Sequence, residues 1–218
     1  MIRVKKSLPP PERLPTAGCN DDSVVRQMHA DQNGKCYLCE TRTTTDFEVE
    51  HCHSIAHQGG KDDWNNIFLA CSYCNDKKGA RFDDILNPAT YNVEEIIEHR
   101  YNSSTKTFVF TASGSASAGT DATIRLLSLI FNGANPRMLK IREEEFQRKF
   151  LYEYNGFLER LGRYLESPNS ETAQPVLDDL EQTSEYLAFK YQVIVSDQKL
   201  AAKFGNAVRW NKVSALQR

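Results

Sequence analysis

Four cysteines form two Cys-x-x-Cys pairs, Cys36 with Cys39 and Cys71 with Cys74, separated by 31 residues. Four thiolates in two such knuckles can close a tetrahedral zinc site, each sulfur at about 2.3 Å from the metal. A site of this kind leaves no coordination position open for water, so the ion would be structural. The spacing therefore predicts one zinc ion that gives cohesion to a segment too short to build a large core.

Side chains of a different chemical kind lie between and directly after these pairs. Glu50 and His51 are adjacent, Asn66 follows a Gly-Gly and Asp-Asp loop, and Asn75 comes immediately after the last cysteine. Thiolates are typical of a scaffold, whereas a carboxylate, an imidazole and amides together are typical of a reactive site. A bare zinc ribbon needs none of these four residues, so the set indicates chemistry in addition to zinc binding.

The order of these motifs resembles the zinc-containing HNH endonucleases over residues 36–79: Cys-x-x-Cys, acidic residue and His, Asn before a hydrophobic run, then Cys-x-x-Cys-Asn-x-x-Lys-Gly. The resemblance implies that His51 is the general base that activates water, which suits imidazole because it exchanges protons near neutral pH. It implies that Glu50 and Asn75 bind a catalytic divalent cation, and one carboxylate with one amide oxygen fits Mg²⁺. It also implies that Asn66 braces the loop that carries the base.

The same resemblance extends to contacts with the substrate. Lys78, together with Lys77, is expected to hold the substrate backbone. His53 would share a strand face with His51, which makes it a candidate second metal ligand or phosphate contact. A surface or packing histidine is the alternative for His53. His57 is a further candidate.

The sequence also departs from the family pattern. Glu50 stands where Asp is more common, and its additional methylene changes its reach to the metal. Cys52 stands where an aliphatic residue usually follows the histidine. Cys52 and Cys19 lie outside both pairs and are expected to be spectators. His29 and His99 lie outside the motif and are expected to be structural.

The site requires elements that bring these groups together. Asp21-Asp22-Ser23 is expected to cap a helix that runs to about Ala30. Residues 43–49 are predicted to form a strand that ends at Glu50-His51. A helix, or a turn and a helix, is predicted over residues 64–73. The order strand, loop, helix indicates a ββα arrangement with metal at its centre.

The remainder of the chain is predicted to be mainly helical. A short helix near residues 93–99 and a strand over 107–112 precede a flexible stretch at 113–119. Apolar and aromatic residues at helical spacing then predict core-facing helices that end at Asn132-Gly133, cover 139–166 and cover 176–196. We therefore predict an α+β protein, with a small zinc-stapled ββα-metal HNH module followed by a mainly α-helical C-terminal region. The predicted segments are a basic Pro-rich arm (1–20), the HNH nuclease module (21–85), a connector (86–119) and a helical partner-binding region (120–218).

The charge distribution is unfavourable for a free-standing nucleic-acid binder. The chain has 27 basic and 29 acidic residues, a net charge of −2. From Cys36 to Asp84, five basic residues stand against nine acidic ones, so the module carries −4. Because phosphate binding depends on Lys and Arg, the bound metal, the basic N-terminal strip or a partner is expected to supply the affinity.

Composition also limits the cellular location. No apolar run approaches the roughly 18 residues of a membrane span. The start MIRVKKSLPPPERLP is basic but has no apolar region of the kind that signal peptides carry. A cytoplasmic location is therefore expected, where paired cysteines more often hold metal than form disulfides.

The wider layout resembles the HNH subunit of Septu-type anti-phage systems, including their retron-linked versions. The resemblance rests on the Met-Ile-Arg-Val-Lys-Lys start, an HNH module that ends near residue 80 and a helical tail. It implies an effector nuclease in an anti-phage defence complex with an ABC-type ATPase. In the retron-linked versions it also implies a reverse transcriptase and its nucleic acid as partners.

Two other functions fit parts of the sequence. A non-catalytic zinc module for assembly or nucleic-acid binding would explain the cysteines but not the Glu, His and Asn residues. A stand-alone restriction or homing nuclease would be expected to carry its own sequence-reading element, and no helix-turn-helix or basic stripe is visible. DNA is favoured over RNA because HNH chemistry favours it, although attack on phosphorus does not depend on the sugar.

Overall fold

The protein has an α+β fold in which short strands precede a set of longer helices. The computed structural model describes residues 1–57, 59–114 and 119–210. No helix in these ranges combines the length and apolar character that a membrane crossing requires. The strands are β1 (Glu48–His51), β2 (Ile67–Ala70), β3 (Ile97–Asn102) and β4 (Thr107–Ala112). The helices are α1 (Leu14–Ala17), α2 (Asp22–Asp31), α3 (Ser72–Lys78), α4 (Val93–Ile96), α5 (Thr120–Asn132), α6 (Ile141–Glu166), α7 (Ser170–Asp179), α8 (Leu187–Ser196) and α9 (Gln198–Phe204).

Strands β1 and β2 form an antiparallel hairpin that leads directly into α3. The pairing places Glu50 opposite Phe68 and His51 opposite Ile67. All four residues of β2 are buried. The helix predicted from residue 64 is therefore wrong over 67–70, because this short apolar run pairs with β1 instead. The helix begins only at Ser72.

The first strand is displaced relative to the prediction over residues 43–49. It begins at Glu48 and includes Glu50 and His51, which therefore lie within the sheet and not after its end. The physical reason is the partner strand, since the four residues of β2 determine which four residues of β1 can form ladder hydrogen bonds. A loop with a 3₁₀ turn at Ile55–His57 follows β1.

The N-terminal segment is part of the core at its beginning, so the prediction of an arm is wrong for residues 1–6. Met1 and Val4 are buried. The Lys6 ammonium lies 3.8 Å from the centre of the Trp64 ring and donates a hydrogen bond of 2.6 Å to the carbonyl of Ile67. Burial lowers the pKa of Lys6 to about 7. Lys6 therefore connects the N-terminal segment to the first residue of β2.

The predicted helices at α2, α5 and α6 are confirmed, with local caps at two of them. The Asp21 carboxylate accepts from the Ser23 amide at 3.0 Å at the start of α2. Glu143 accepts from the Lys140 amide at 2.9 Å at the start of α6. Phe150 of α6 lies at the centre of an aromatic cluster, as the helical spacing indicated.

Residues 176–196 do not form a continuous helical segment. Helix α7 ends at Asp179 and α8 begins at Leu187. The Glu40 carboxylate accepts hydrogen bonds from the Leu187 amide at 2.7 Å and the Ala188 amide at 3.2 Å. These amides are the first donors of α8, so the beginning of this helix is determined by a residue of the first zinc knuckle.

The connector contains a hairpin instead of a single strand. The strand predicted over 107–112 is confirmed as β4, and it pairs with β3. The short helix predicted near 93–99 ends at Ile96, and the following residues belong to β3. Most of the predicted flexible stretch at 113–119 and the chain beyond residue 210 lie outside the described residues.

The ββα unit and the helical part share one hydrophobic core. A single buried cluster contains Met1, Cys36, Phe68, Phe150 and Phe204, which come from the N-terminal segment, the zinc region, the sheet and the helices. The contacts between these elements are therefore well placed to orient the ββα unit. The predicted segment boundaries at 20, 85 and 119 remain predictions.

Candidate metal and nuclease site

The four cysteine sulfurs form one compact group. The sulfurs of Cys36, Cys39, Cys71 and Cys74 all lie within 4.8 Å of one another, and those of Cys39 and Cys71 are 3.9 Å apart. Tetrahedral zinc with sulfurs at about 2.3 Å requires sulfur–sulfur distances of about 3.8 Å. Among the described residues, no other group of three or more His, Cys, Asp or Glu side chains has such geometry. The cluster fits a zinc site.

The first knuckle is a tight turn stabilised by its own backbone. The Glu40 amide donates to the Cys36 carbonyl at 2.9 Å, and the Cys36 amide donates to the Thr41 carbonyl at 2.9 Å. Glu40 has a φ of 64°, in the left-handed region. The second knuckle spans the start of α3, so zinc would join this helix to the first knuckle.

Ionisation of the thiols favours a cation among them. Burial raises the pKa of Cys74 and of Cys39 well above the ordinary value for a thiol. Burial acts in the same direction on Cys36, but hydrogen bonds from the other three cysteines hold its pKa well below the ordinary value. The Cys36 thiolate is thus stabilised by its neighbours, whereas the ionisation of Cys39 and Cys74 needs the positive charge that zinc supplies.

His51 is held in a defined orientation near the end of β1. Its Nε2 lies 2.9 Å from the carbonyl oxygen of Lys61 in the loop before β2. A carbonyl oxygen can only accept, so Nε2 carries the proton and donates it. In the neutral ring, the other nitrogen, Nδ1, then carries no proton and is able to accept one.

A cleft of about 240 Å³ opens beside these residues. It is lined by Glu50, His51, Ser54, Ile55, Gly79 and Ala80. The walls come from β1, from the loop that follows it and from the turn after α3. Glu50 and His51 thus line the same open surface.

Asn66 is buried behind this surface. Its Oδ1 accepts from the His53 amide at 2.8 Å, and its Nδ2 donates to the His53 carbonyl at 2.9 Å and, at 3.4 Å, to that of Gly60. These bonds connect the loop after β1 to the loop before β2. Asn66 therefore holds these two loops together through its side-chain hydrogen bonds.

Lys78 differs from the role expected for it. Its side chain is 1% exposed, and its ammonium donates to Glu50 Oε1 at 2.6 Å and to the His51 carbonyl at 2.9 Å. A substrate phosphate has no access to a group buried in this way. The expectation that Lys78 holds the substrate backbone is therefore wrong, because two residues of β1 occupy its donors.

Lys77 is also engaged inside the protein. Its ammonium forms an ion pair with Glu143 at the start of α6, whose side chain is almost fully buried. In the next pair along the same surface, Arg142 lies 2.8 Å from Asp76. The start of α6 is therefore joined to α3 by two ion pairs. Because Lys77 is engaged in one of them, this structure does not support Lys77 as a contact for substrate.

Asn75 lies on the side of α3 that faces β1. Its Nδ2 donates to a carboxylate oxygen of Glu48, which is two residues before Glu50 and therefore on the same face of the strand. The amide oxygen of Asn75 is the atom that remains to bind a cation. By their chemistry, the carboxylate of Glu50 and the amide oxygen of Asn75 are hard oxygen donors of the kind that would suit a divalent cation such as Mg²⁺.

His53 and His57 have partners in a residue that sequence reasoning missed. His53 lies after the end of β1, and its Nδ1 donates to the carbonyl of Asp83 at 2.8 Å. The strand-face argument for His53 is therefore wrong. His57 is 3.5 Å from the Asp83 carboxylate, which also accepts from the Ser54 amide. In the sequence, the only signal for Asp83 as a partner of these histidines is its place in an Asp-Asp dipeptide after the motif.

These features define a ββα module with a cysteine cluster that fits zinc. The module consists of the β1–β2 hairpin and α3, and it carries an open cleft lined by a carboxylate and a histidine. Among protein-family models, the HNH endonuclease family matches residues 36–81. The chain therefore contains an HNH endonuclease domain over these residues, with a cysteine cluster that fits zinc. No curated protein and no solved structure matches the chain.

Proposed function

We propose that this chain is a metal-dependent endonuclease that hydrolyses phosphodiester bonds of nucleic acid, with DNA as the favoured substrate. The observation that carries the proposal is the orientation of His51. Its Nε2 is engaged by the Lys61 carbonyl, which leaves Nδ1 as the proton acceptor beside an open cleft that also contains Glu50. A non-catalytic zinc module would not need a histidine held in this way.

The proposed reaction begins with proton abstraction from water by Nδ1 of His51. The Lys61 carbonyl stabilises the imidazolium that forms, because it accepts a hydrogen bond from Nε2–H. Asn66 holds the loop after the base in place through both backbone groups of His53. The ββα unit thus supplies a fixed base and a supported loop, and general-base catalysis of this kind contributes roughly 10²–10⁴-fold.

Glu50 and Asn75 would hold the divalent cation, for which we propose Mg²⁺. When bound, the cation supplies Lewis-acid stabilisation of the charge that develops on the phosphate and on the leaving oxygen. Lys78 donates to Oε1 of Glu50, so the other carboxylate oxygen would be the one left for the cation. His53 and His57 are proposed to order the loop through Asp83.

The charge of the module and the contacts of its lysines support a role for partners in substrate binding. The domain is acidic, and Lys77 and Lys78 are engaged inside the protein. We therefore propose that the substrate is presented by a larger complex in which an ABC-type ATPase acts with this nuclease in anti-phage defence, as the resemblance to Septu-type systems implies. The exposed Tyr152 and Leu165 on α6 support a docking role for the helical region.

His51→Ala tests the catalytic assignment. The protein is purified under native conditions with its co-purifying partners and assayed on DNA and on RNA with Mg²⁺. The variant should lose roughly 10²–10⁴-fold in cleavage rate because the proton acceptor is removed. Zinc content and melting temperature should remain native, since His51 is not a zinc ligand.

His29→Ala is the matched control, because His29 is an exposed histidine on α2 outside the site. It should cleave at the native rate. Full activity of His51→Ala would contradict the proposed function. The same assay identifies the co-purifying partner and decides between DNA and RNA.

A further inference from the structure

Lys78 is buried at the end of α3 and has its described partners in β1. Its side chain is 1% exposed, and its ammonium contacts one carboxylate oxygen of Glu50 and the backbone carbonyl of His51. A buried charge is costly unless it is paired and hydrogen-bonded, so this arrangement depends on both contacts. Both partners belong to the residues that carry the proposed chemistry.

We propose, on the basis of the proposed nuclease function, that Lys78 is a positioning residue. It holds Glu50 and His51 from the buried side of β1 and reserves one carboxylate oxygen, so that a divalent cation meets the other oxygen only. Lys78 thereby sets both the direction of the metal ligand and the strength of the metal site.

The direction follows from the two hydrogen bonds. A glutamate side chain at the surface of a strand has several rotamers, but the 2.6 Å bond to Lys78 selects those that keep Oε1 towards α3. The 2.9 Å bond to the His51 carbonyl fixes the backbone between the ligand and the base. Asn75 is one turn earlier on the same helix, so α3 orients Glu50, His51 and Asn75 together.

The strength of the site follows from charge. An ammonium and a divalent cation on the same carboxylate repel each other, and burial weakens the screening by water. The site should therefore bind metal more weakly than a glutamate and an asparagine would without the lysine. Lys78 lowers metal affinity but keeps the geometry that cleavage needs.

Lys78→Met separates these two effects. Binding of Mn²⁺ to the zinc-loaded protein is measured by calorimetry without substrate, and cleavage is measured at saturating metal. Mn²⁺ affinity should increase about tenfold because the competing charge is removed. The cleavage rate should fall about 10²-fold because Glu50 and His51 lose their common anchor. Lys199→Met, the same change at an exposed position of α9, should alter neither quantity.

An unchanged affinity and rate in Lys78→Met would overturn the positioning role. A parallel fall of both would also overturn it, because the lysine would then only maintain packing. If Lys78→Met does not retain zinc and native melting, Lys78→Gln provides the same test, since it keeps an uncharged donor. It should also bind Mn²⁺ more tightly, and weaker or unchanged binding would overturn the role.

Glu50→Gln distinguishes this proposal from the proposed function. If the native protein binds Mn²⁺ and Glu50→Gln does not, Glu50 is identified as the ligand. If Glu50→Gln binds Mn²⁺ like the native protein and cuts at the native rate, Glu50 is not the ligand and the role of Lys78 fails with it. If the native protein with its partners cuts neither DNA nor RNA, the proposed function itself fails. If Glu50→Gln loses both but Lys78→Met changes neither, only the role of Lys78 fails.

Discussion

Asn66 shows how much of this site depends on single polar side chains that never meet the substrate. Its amide is buried and satisfies both backbone groups of His53 and, weakly, the carbonyl of Gly60. His51 is oriented in a similar way, by one carbonyl in the loop before β2. The chemistry expected of Glu50 and His51 therefore depends on residues around them that supply hydrogen bonds and no reactivity.

Replacing Asn66 with alanine should loosen the loop after β1. The His53 amide and carbonyl would lose their partners inside the protein, which costs about 1–3 kcal/mol for each buried unsatisfied group. The expected result is a lower free energy of unfolding in urea and a cleavage rate reduced by about 10²-fold.

The neighbouring Asn65→Ala is the matched control for this change. Asn65 is exposed and contacts Asn87 through its backbone carbonyl, which alanine retains. Its stability and activity should remain native. Equal effects of the two substitutions would show that the Asn66 side chain does not brace the loop.

Helix α3 is the element on which the site converges. It begins in the second zinc knuckle, carries Asn75 in its middle and ends at Lys78. Its outer surface is gripped by Arg142 and Glu143 at the start of α6. A seven-residue helix is too short to be stable alone, so these contacts and zinc determine its position.

Cys71→Ser should release zinc and loosen α3. A serine hydroxyl replaces one of four thiolates, and a closed tetrahedral site tolerates this poorly. The expected results are close to one zinc per chain in the native protein, strongly reduced zinc in the variant and a lower melting temperature.

Cys19→Ser is the control for Cys71→Ser, since Cys19 is a buried cysteine in a separate hydrophobic cluster. It should retain zinc, even if the added hydroxyl lowers stability. A Cys71→Ser protein that keeps full zinc content would contradict the four-cysteine site.

At the scale of the whole molecule, the helical part and the ββα unit are joined by buried charge as well as by apolar packing. Glu40 of the first knuckle accepts from the first amides of α8, and its carboxylate lies 2.9 Å from the amino group of Met1. Glu94 of α4 accepts from the Arg3 amide at 2.9 Å. The N-terminal segment thus crosses between the zinc region and the helices.

Glu94 gives the molecule a pH-dependent stability. Burial raises the pKa of Glu94 from 4.5 to about 7 in the folded state, with Arg3 and the Met1 amino group acting against the shift and Glu40 with it. Because the folded pKa is the higher one, protonation of Glu94 stabilises the folded state. This contribution is complete below about pH 4.5 and is lost as pH rises through 7. The loss amounts to at most about 3 kcal/mol.

Glu94→Gln should therefore be more stable than the native protein at pH 8. Urea unfolding at several pH values should show this difference shrinking as pH falls towards 5. Glu95→Gln removes a neighbouring glutamate from the same helix and serves as the control. A native protein that gains no stability relative to Glu94→Gln on acidification would contradict the role of burial at Glu94.

The sequence by itself determined the zinc cluster and the main helices. Two Cys-x-x-Cys pairs carry their own local geometry, because each knuckle places two thiolates through a few residues of backbone. Helices α5 and α6 were likewise readable, since periodic apolar residues and nearby turn residues are local signals. The Glu, His and Asn set indicated a reactive site for the same reason, by order and spacing.

Only the tertiary structure decided which side chains are available to the substrate. The sequence predicted Lys78 as a phosphate contact, but at the end of α3 its side chain points into the core and contacts Glu50. The run over 67–70 was compatible with a helix until β1 supplied a partner strand. Asp83 and the start of α8 likewise depend on contacts between distant parts of the chain. Such contacts leave no periodic signal, because the burial and pairing that create them arise only when the elements pack.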